Sequence, residues 1–269
     1  MTATTITPPV PVAGRPGPVR TARHTMALAW RAVLKIWHNP EQLLDVSLQP
    51  IIFVTMFVFL FGGAIAGNQH EYLQYVLPRI AVQTIIFSSA GTGTNLNTDI
   101  TKGIFDRFRS LPIARSSPLT GLIIGDLVRY GVSLGVLTIY GVILGFRFHT
   151  NPVAVVAGYG LMVAFALAMC WIWVLVGLLV KSTQSLQGFG FVIIFPLTFG
   201  SNVFVPTGSL PGWLQAWVKI NPVTYLSTAV RGLWIGGPVA SAVWHSLLWT
   251  AVIMAVFAPI AVRVYRRRT

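Results

Sequence analysis

The hydrophobic pattern of this chain is a series of long apolar runs separated by short polar stretches. The runs cover residues 46–66, 76–96, 119–145, 152–180, 187–205 and 239–262. Each is close to or above the ~20 residues that a helix needs to cross the hydrocarbon core of a bilayer. None alternates with the period of two expected of a membrane strand, and in lipid the backbone must satisfy its own hydrogen bonds, so each run reads as a helix. The pattern predicts an all-α integral membrane protein with six transmembrane helices.

Two further segments are amphipathic rather than uniformly apolar. Over residues 25–38, Met26, Trp30, Val33 and Trp37 fall on one face of a helical wheel and His24, Arg31, Lys35 and His38 on the other. Such a helix lies in the membrane interface, and Asn39-Pro40 stops it because the residue before a proline is pushed out of helical geometry. It reads either as a plain anchor or as an anchor that also forms part of a docking surface. Between the last two runs, residues 206–238 are polar enough to leave the hydrocarbon yet rich in Trp and Leu. Segments 211–219 and 223–234, split by Asn221-Pro222, predict an extracytoplasmic helical hairpin between spans five and six, ended by Gly236-Gly237-Pro238. Residues 1–24, rich in proline, predict a flexible cytoplasmic tail.

Composition removes the soluble alternative. Of 269 residues, 54% are hydrophobic and 9% charged, with a mean hydropathy of +0.71; soluble domains carry about a quarter charged residues. The net charge of +13 does not mark a nucleic-acid binder, because the basic residues sit where apolar runs end. Outside the runs, with the N-terminus inside, fourteen Lys and Arg fall on the cytoplasmic side and three, Arg147, Lys219 and Arg231, on the other. The asymmetry predicts a multi-pass plasma-membrane protein with both termini cytoplasmic, its basic face attracting anionic membrane lipids. Arg79 and Arg129 fall inside runs, near enough to their ends to snorkel toward head groups.

Catalytic signatures are missing from the sequence. No Gly-x4-Gly-Lys-Ser/Thr occurs, and Val180 stands before Lys181-Ser182 where that motif requires glycine. There is no His-Glu-x-x-His pair and no Gly-x-Ser-x-Gly elbow. The five histidines are scattered over segment ends, and the single cysteine, Cys170, lies in an apolar run and has no partner for an intrachain disulfide. These readings predict no catalytic, metal or cofactor site on the chain. Asp126 and Arg129, three residues apart, share a helix face as a possible intramembrane pair, structural or involved in gating or proton movement. The third run also repeats Gly-x3-Gly at 121/125, 131/135 and 141/145, which predicts close approach by several neighbouring helices. Pro196 and Pro259 predict local kinks.

Charge and aromatic side chains come together in the loop Lys102, Gly103, Ile104, Phe105, Asp106, Arg107, Phe108, Arg109, Ser110, Leu111, Pro112. Ile104, Phe105 and Phe108 beside four charges predict a docking element rather than a solvated turn. With Asn95-Leu96-Asn97-Thr98-Asp99 ahead of it, this stretch resembles the permease subunits of ABC-2 type exporters, and in particular the daunorubicin-resistance permeases of actinobacteria. His38-Asn39-Pro40-Glu41-Gln42, Pro50-Ile51-Ile52-Phe53-Val54, the Phe195 to Asn202 stretch and Asn221-Pro222-Val223-Thr224 are similar too.

The resemblance implies that residues 25–269 form one ABC-2 type transmembrane domain. It implies pairing with a second permease subunit, as a homodimer, and with two copies of a cytoplasmic ATPase that carries the ATP and Mg. Lys102 to Pro112 would then be the ATPase-coupling loop, and Trp30, Arg31, Lys35 and Trp37 would belong to the interfacial helix. The cargo implied is a bulky amphipathic compound, an antibiotic or a lipid-linked molecule. A proton-coupled carrier using Asp126 and Arg129, and a non-transporting membrane scaffold, remain as alternatives.

Overall fold

In the computed structural model, the described residues are 40–63, 67–103, 117–204 and 211–268, with the single positions Met26, Trp30, Leu34 and Gly208. Among them the secondary structure is entirely helical. The elements are α1 (Pro40–Met56) running into a π-helical turn (Phe57–Phe61), α2 (Gln69–Thr101), α3 (Ser117–Ile143), α4 (Pro152–Leu179), α5 (Thr183–Phe199), α6 (Gly212–Ile220), α7 (Pro222–Ile235) and α8 (Ala240–Arg268).

Short polar side chains set the helix starts. Asn68 accepts from His70 N (2.9 Å) at the head of α2, and Ser182 accepts from Ser185 N (3.2 Å) at α5. Asn151 caps α4 through Ala154 N (2.7 Å), with Pro152 at the first helical position, where its missing N–H costs nothing. Asn221 both ends α6 and starts α7. Its Oδ1 accepts from Val223 N (2.9 Å), and its Nδ2 donates to Leu197 O (2.9 Å) and Gly200 O (2.8 Å), fastening the α6–α7 corner to the end of α5.

α2 and α4 form the centre of the bundle. Glycines let their backbones meet: a Cβ on Gly93 would stand 2.6 Å from Trp173 O, and one on Gly177 2.8 Å from Gly93 O. Trp173, fully buried beside this crossing, donates from Nε1 to Ser89 Oγ (3.0 Å). α3 packs on α2 and α1, α8 lies along α4, α7 spans α2, α4 and α8, and α5 touches mainly α2.

The connections sort to opposite ends. At one end Gly145 sits against His70, Tyr72 OH donates to Phe204 O (3.3 Å), His149 N donates to Trp234 O (3.0 Å) and Thr150 Oγ1 to Leu233 O (2.5 Å). The other end holds Asn97, which donates to Gly177 O (3.1 Å) and Val180 O (2.8 Å), and a small core of Leu96, Val174, Leu178, Ala261 and Tyr265. Lys102, Lys181, Arg263 and Arg267 therefore share the second end, while Arg147, Lys219 and Arg231 belong to the first.

Among the described residues three helices are long and apolar enough to cross a membrane: Gly121–Ile143, Pro152–Leu179 and Ala240–Tyr265. Leu48–Phe61 and Thr183–Phe199 are apolar but shorter. α2 is longer than any of these at 33 residues, about 50 Å, and carries polar groups along its length.

Several expectations need correction. α5 stops at Phe199, not Val205, because Gly200 to Phe204 turn back to bond Asn221, Ser227 and Tyr72. Arg79 and Arg129 do not snorkel: they are only 4% and 7% exposed, because both point into the bundle. Of the glycine pairs in α3, Gly141 meets Leu77 of α2, but Gly131 and Gly135 have nothing beside them within 4 Å, so no close helix approach occurs there among the described residues.

Candidate functional site

Two groups of buried polar side chains lie along α2. The first surrounds Asp126 and Arg129 of α3. One turn of helix brings the two side chains onto one face, and Arg129 Nη2 lies 2.9 Å from Asp126 Oδ1. The second carboxylate oxygen accepts from the Thr92 hydroxyl of α2. Arg129 Nη2 also donates to Ser88 O (2.5 Å). Gly91 makes room for this guanidinium, since a Cβ there would collide with it. Thr92 Oγ1 in turn contacts Cys170 Sγ (3.2 Å) of α4, which contacts Tyr130 OH (2.8 Å) of α3. Charge is balanced, and the network clamps α2, α3 and α4 together. Buried ions are tolerated on these terms.

The second place is the stripe Tyr75, Arg79 and Gln83, at i, i+4 and i+8 on one face of α2. Arg79 lies over the Tyr75 ring at 3.7 Å, a cation–π contact. Arg79 Nε and Nη1, both amide atoms of Gln83 and the Tyr75 hydroxyl are buried and have no partner among the described residues. The charge that acts on Arg79 from α7 is that of Arg231, another cation. Composition carried no sign of this stripe, because a lone Arg near the end of an apolar run reads as a snorkelling residue.

An aromatic ladder runs beside it. Phe191 lies tilted against Phe195 at 5.4 Å, Phe195, Phe199 and Phe204 stack in turn at 4.7 and 5.0 Å, and Phe204 stacks on Phe57 of the π-helical turn at 4.2 Å. Phe191, Phe195 and Phe199 are exposed. The ladder meets the polar stripe through Tyr72, which bonds Phe204 O and stacks on Tyr75 at 6.0 Å.

At the far end of α2, Lys102 is exposed in the closing turn and Gly103 takes a left-handed conformation (φ +66°) that a side chain would strain. Ile104, Phe105, Asp106, Arg107, Phe108, Arg109 and Pro112 lie outside the described residues. In the segment before α1, Trp30 is helical and exposed, with Met26 and Leu34 a turn to either side; Arg31, Lys35 and Trp37 lie outside the described residues.

The described residues thus form a helical membrane bundle whose centre is held by a buried, charge-balanced clamp. The family model for the ABC-2 type transporter matches residues 23–234, and the chain belongs to that family, as a membrane-spanning permease. It is 39% identical to the daunorubicin resistance ABC transporter permease protein DrrB1 of Streptomyces coeruleorubidus over 254 residues, 94% of this chain and 90% of the relative. It is 31% identical to the probable doxorubicin resistance ABC transporter permease protein DrrC of Mycobacterium tuberculosis, covering 81% of this chain and 79% of that one. The inner membrane transport permease YadH of Escherichia coli is 22% identical over 78% of this chain and 86% of its own. Membership in this family implies an ABC ATPase as partner.

Proposed function

We propose that this chain is the membrane half of an ATP-driven exporter that moves a bulky amphipathic compound, a drug or a lipid-linked molecule, out of the cytoplasm. Hydrolysis takes place on a separate ATPase, which holds ATP and Mg, and two copies of each chain make the transporter. The six apolar runs cross the plasma membrane with both termini inside, α6 and α7 form the outer hairpin, and the segment containing Trp30, Arg31, Lys35 and Trp37 lies in the inner interface. The basic residues gathered at the Lys102 end support that orientation.

The observation that carries the proposal is α2 itself. It is one unbroken helix of 33 residues, ~20 Å longer than the hydrocarbon core is thick, and it ends at Lys102 where the charged loop begins. Because α2 packs on α1, α3, α4, α5 and α7, force applied at residues 102–112 moves the centre of the bundle. Cores of this density transmit displacement instead of absorbing it. Asp126 is held by Arg129 and Thr92, which supports a clamp between helices and gives a proton carrier little to work with.

The test is the double variant Arg107→Glu/Arg109→Glu in proteoliposomes with the ATPase partner. We expect normal membrane insertion with at least about a tenfold loss of ATP-dependent transport, the scale expected when charge pairs across an interface are reversed. Unchanged transport would remove the coupling role from the loop.

A further inference from the structure

Building on the exporter reading, we propose that the Tyr75–Arg79–Gln83 stripe of α2 is the recognition point for an anionic oxygen group, a carboxylate or phosphate, on the transported molecule. The chain would then favour acidic or acceptor-rich amphiphiles over cationic amines.

The two buried arginines differ in what balances them. Arg129 has Asp126 at 2.9 Å. Arg79, 4% exposed, has no carboxylate partner among the described residues, where the charge acting on it is that of Arg231. An unpaired cation in a membrane interior is expensive, and such residues persist where they serve a substrate or ion path. Nor is Arg79 alone. One turn on, Gln83 is 2% exposed, and neither its amide nitrogen nor its oxygen has a partner among the described residues; one turn back, the same holds for the Tyr75 hydroxyl. Three consecutive turns of α2, about 12 Å of helix, thus present unsatisfied groups on one face, most of them donors. Buried donors left without protein partners ask for an acceptor, and the two neighbouring positive charges ask for a negative one.

The aromatic ladder supplies the other half of an amphipathic site. It leads from the exposed face of α5 through Phe204 to Tyr72 and Tyr75, so a planar body can stack on apolar rings while its acidic group reaches Arg79. A protonated amine brought to the same point would meet Arg79 and Arg231 with like charge.

The experiment measures ATP-dependent uptake into inverted proteoliposomes containing the chain and its ATPase. Three probes are used: an anthraquinone bearing a carboxylate, the same anthraquinone bearing a primary amine, and fluorescently labelled phosphatidylglycerol. We expect the wild type to prefer the acid over the amine, and Arg79→Gln to cut movement of the acidic probe about tenfold, the scale of a lost charge-assisted hydrogen bond, while movement of the amine rises as a like charge is removed. Gln83→Leu, which removes no charge, should cut it about threefold, the scale of a neutral hydrogen bond. Arg79→Lys should keep the preference for the acid in weaker form. If Arg79→Gln fails to insert, the Lys and Leu variants decide the matter. Loss confined to the labelled lipid assigns the anionic group to a lipid headgroup, and loss confined to the anthraquinone assigns it to a drug-like acid; both support the stripe. An acid-to-amine ratio unchanged in every variant overturns it, as does a wild type that moves the amine equally well. A wild type that moves none of the three probes, despite a bound and active ATPase, defeats the exporter reading itself.

Discussion

The surroundings of Arg129 and Arg79 set two ways of burying a guanidinium side by side. Around Arg129 a carboxylate, a backbone carbonyl and a glycine-made space are in place, with only Nε left without a partner among the described residues, and helices α2, α3 and α4 are bound into one block. Around Arg79 there is a tyrosine ring, a second cation and a run of unbonded atoms. Closed networks fix structure, whereas open ones are retained for something the protein meets later. Position in an apolar run does not tell the two apart; the partners do.

The comparison breaks most readily at the ion pair. Asp126→Ala leaves Arg129 buried without its anion, and we expect a loss of about 3–5 kcal/mol, seen as a collapse of the melting transition of detergent-purified protein. The double variant Asp126→Leu/Arg129→Met, which removes both charges, should recover most of that loss. A single and a double variant of equal stability would show that the pair is no clamp.

Next in size is the α2–α4 crossing on which both arginines depend. Gly93→Val sets a branched side chain against Trp173 O, and about 1–3 kcal/mol of destabilisation is expected from overpacking, measured by the same melt. The Asn221 corner is smaller. Asn221→Ala removes a helix cap and two bonds to α5, for about 1–2 kcal/mol; Asn221→Asp, which keeps the cap but not the Nδ2 donor, should fall between. The smallest change is at Arg79. Arg79→Met should leave the melting transition within about 1 kcal/mol of wild type, or raise it, because nothing buried loses a charged partner. A drop as large as that of Asp126→Ala would erase the distinction between the two arginines.

What the sequence made legible followed from local chemistry. The break at Asn221-Pro222 was legible because the cap and the proline act within one turn, and the spacing of Asp126 and Arg129 sufficed to put them on one face. Burial was harder to read. Arg79 lies ten residues past the start of α2, where a snorkelling arginine and an inward-pointing one look the same in sequence; only the register of α2 against α7 separates them. Thr92 and Cys170 were invisible for a related reason, since a hydroxyl and a thiol gain significance only when a third helix brings them to a carboxylate. The glycine pair at 131/135 misled in the opposite direction: small residues permit close packing without requiring it.

The central claim is that α2 joins an ATPase-driven loop at one end to the interior of the bundle at the other. The most direct measurement is ATPase activity of the purified partner with and without this chain in liposomes, for wild type and Arg107→Glu/Arg109→Glu, with the acidic probe present. The account predicts that the probe stimulates ATPase activity only with the wild-type chain, and that Arg79→Gln abolishes this stimulation while the ATPase stays bound. Equal activity with and without the chain, or stimulation unchanged by the loop variant, would contradict it.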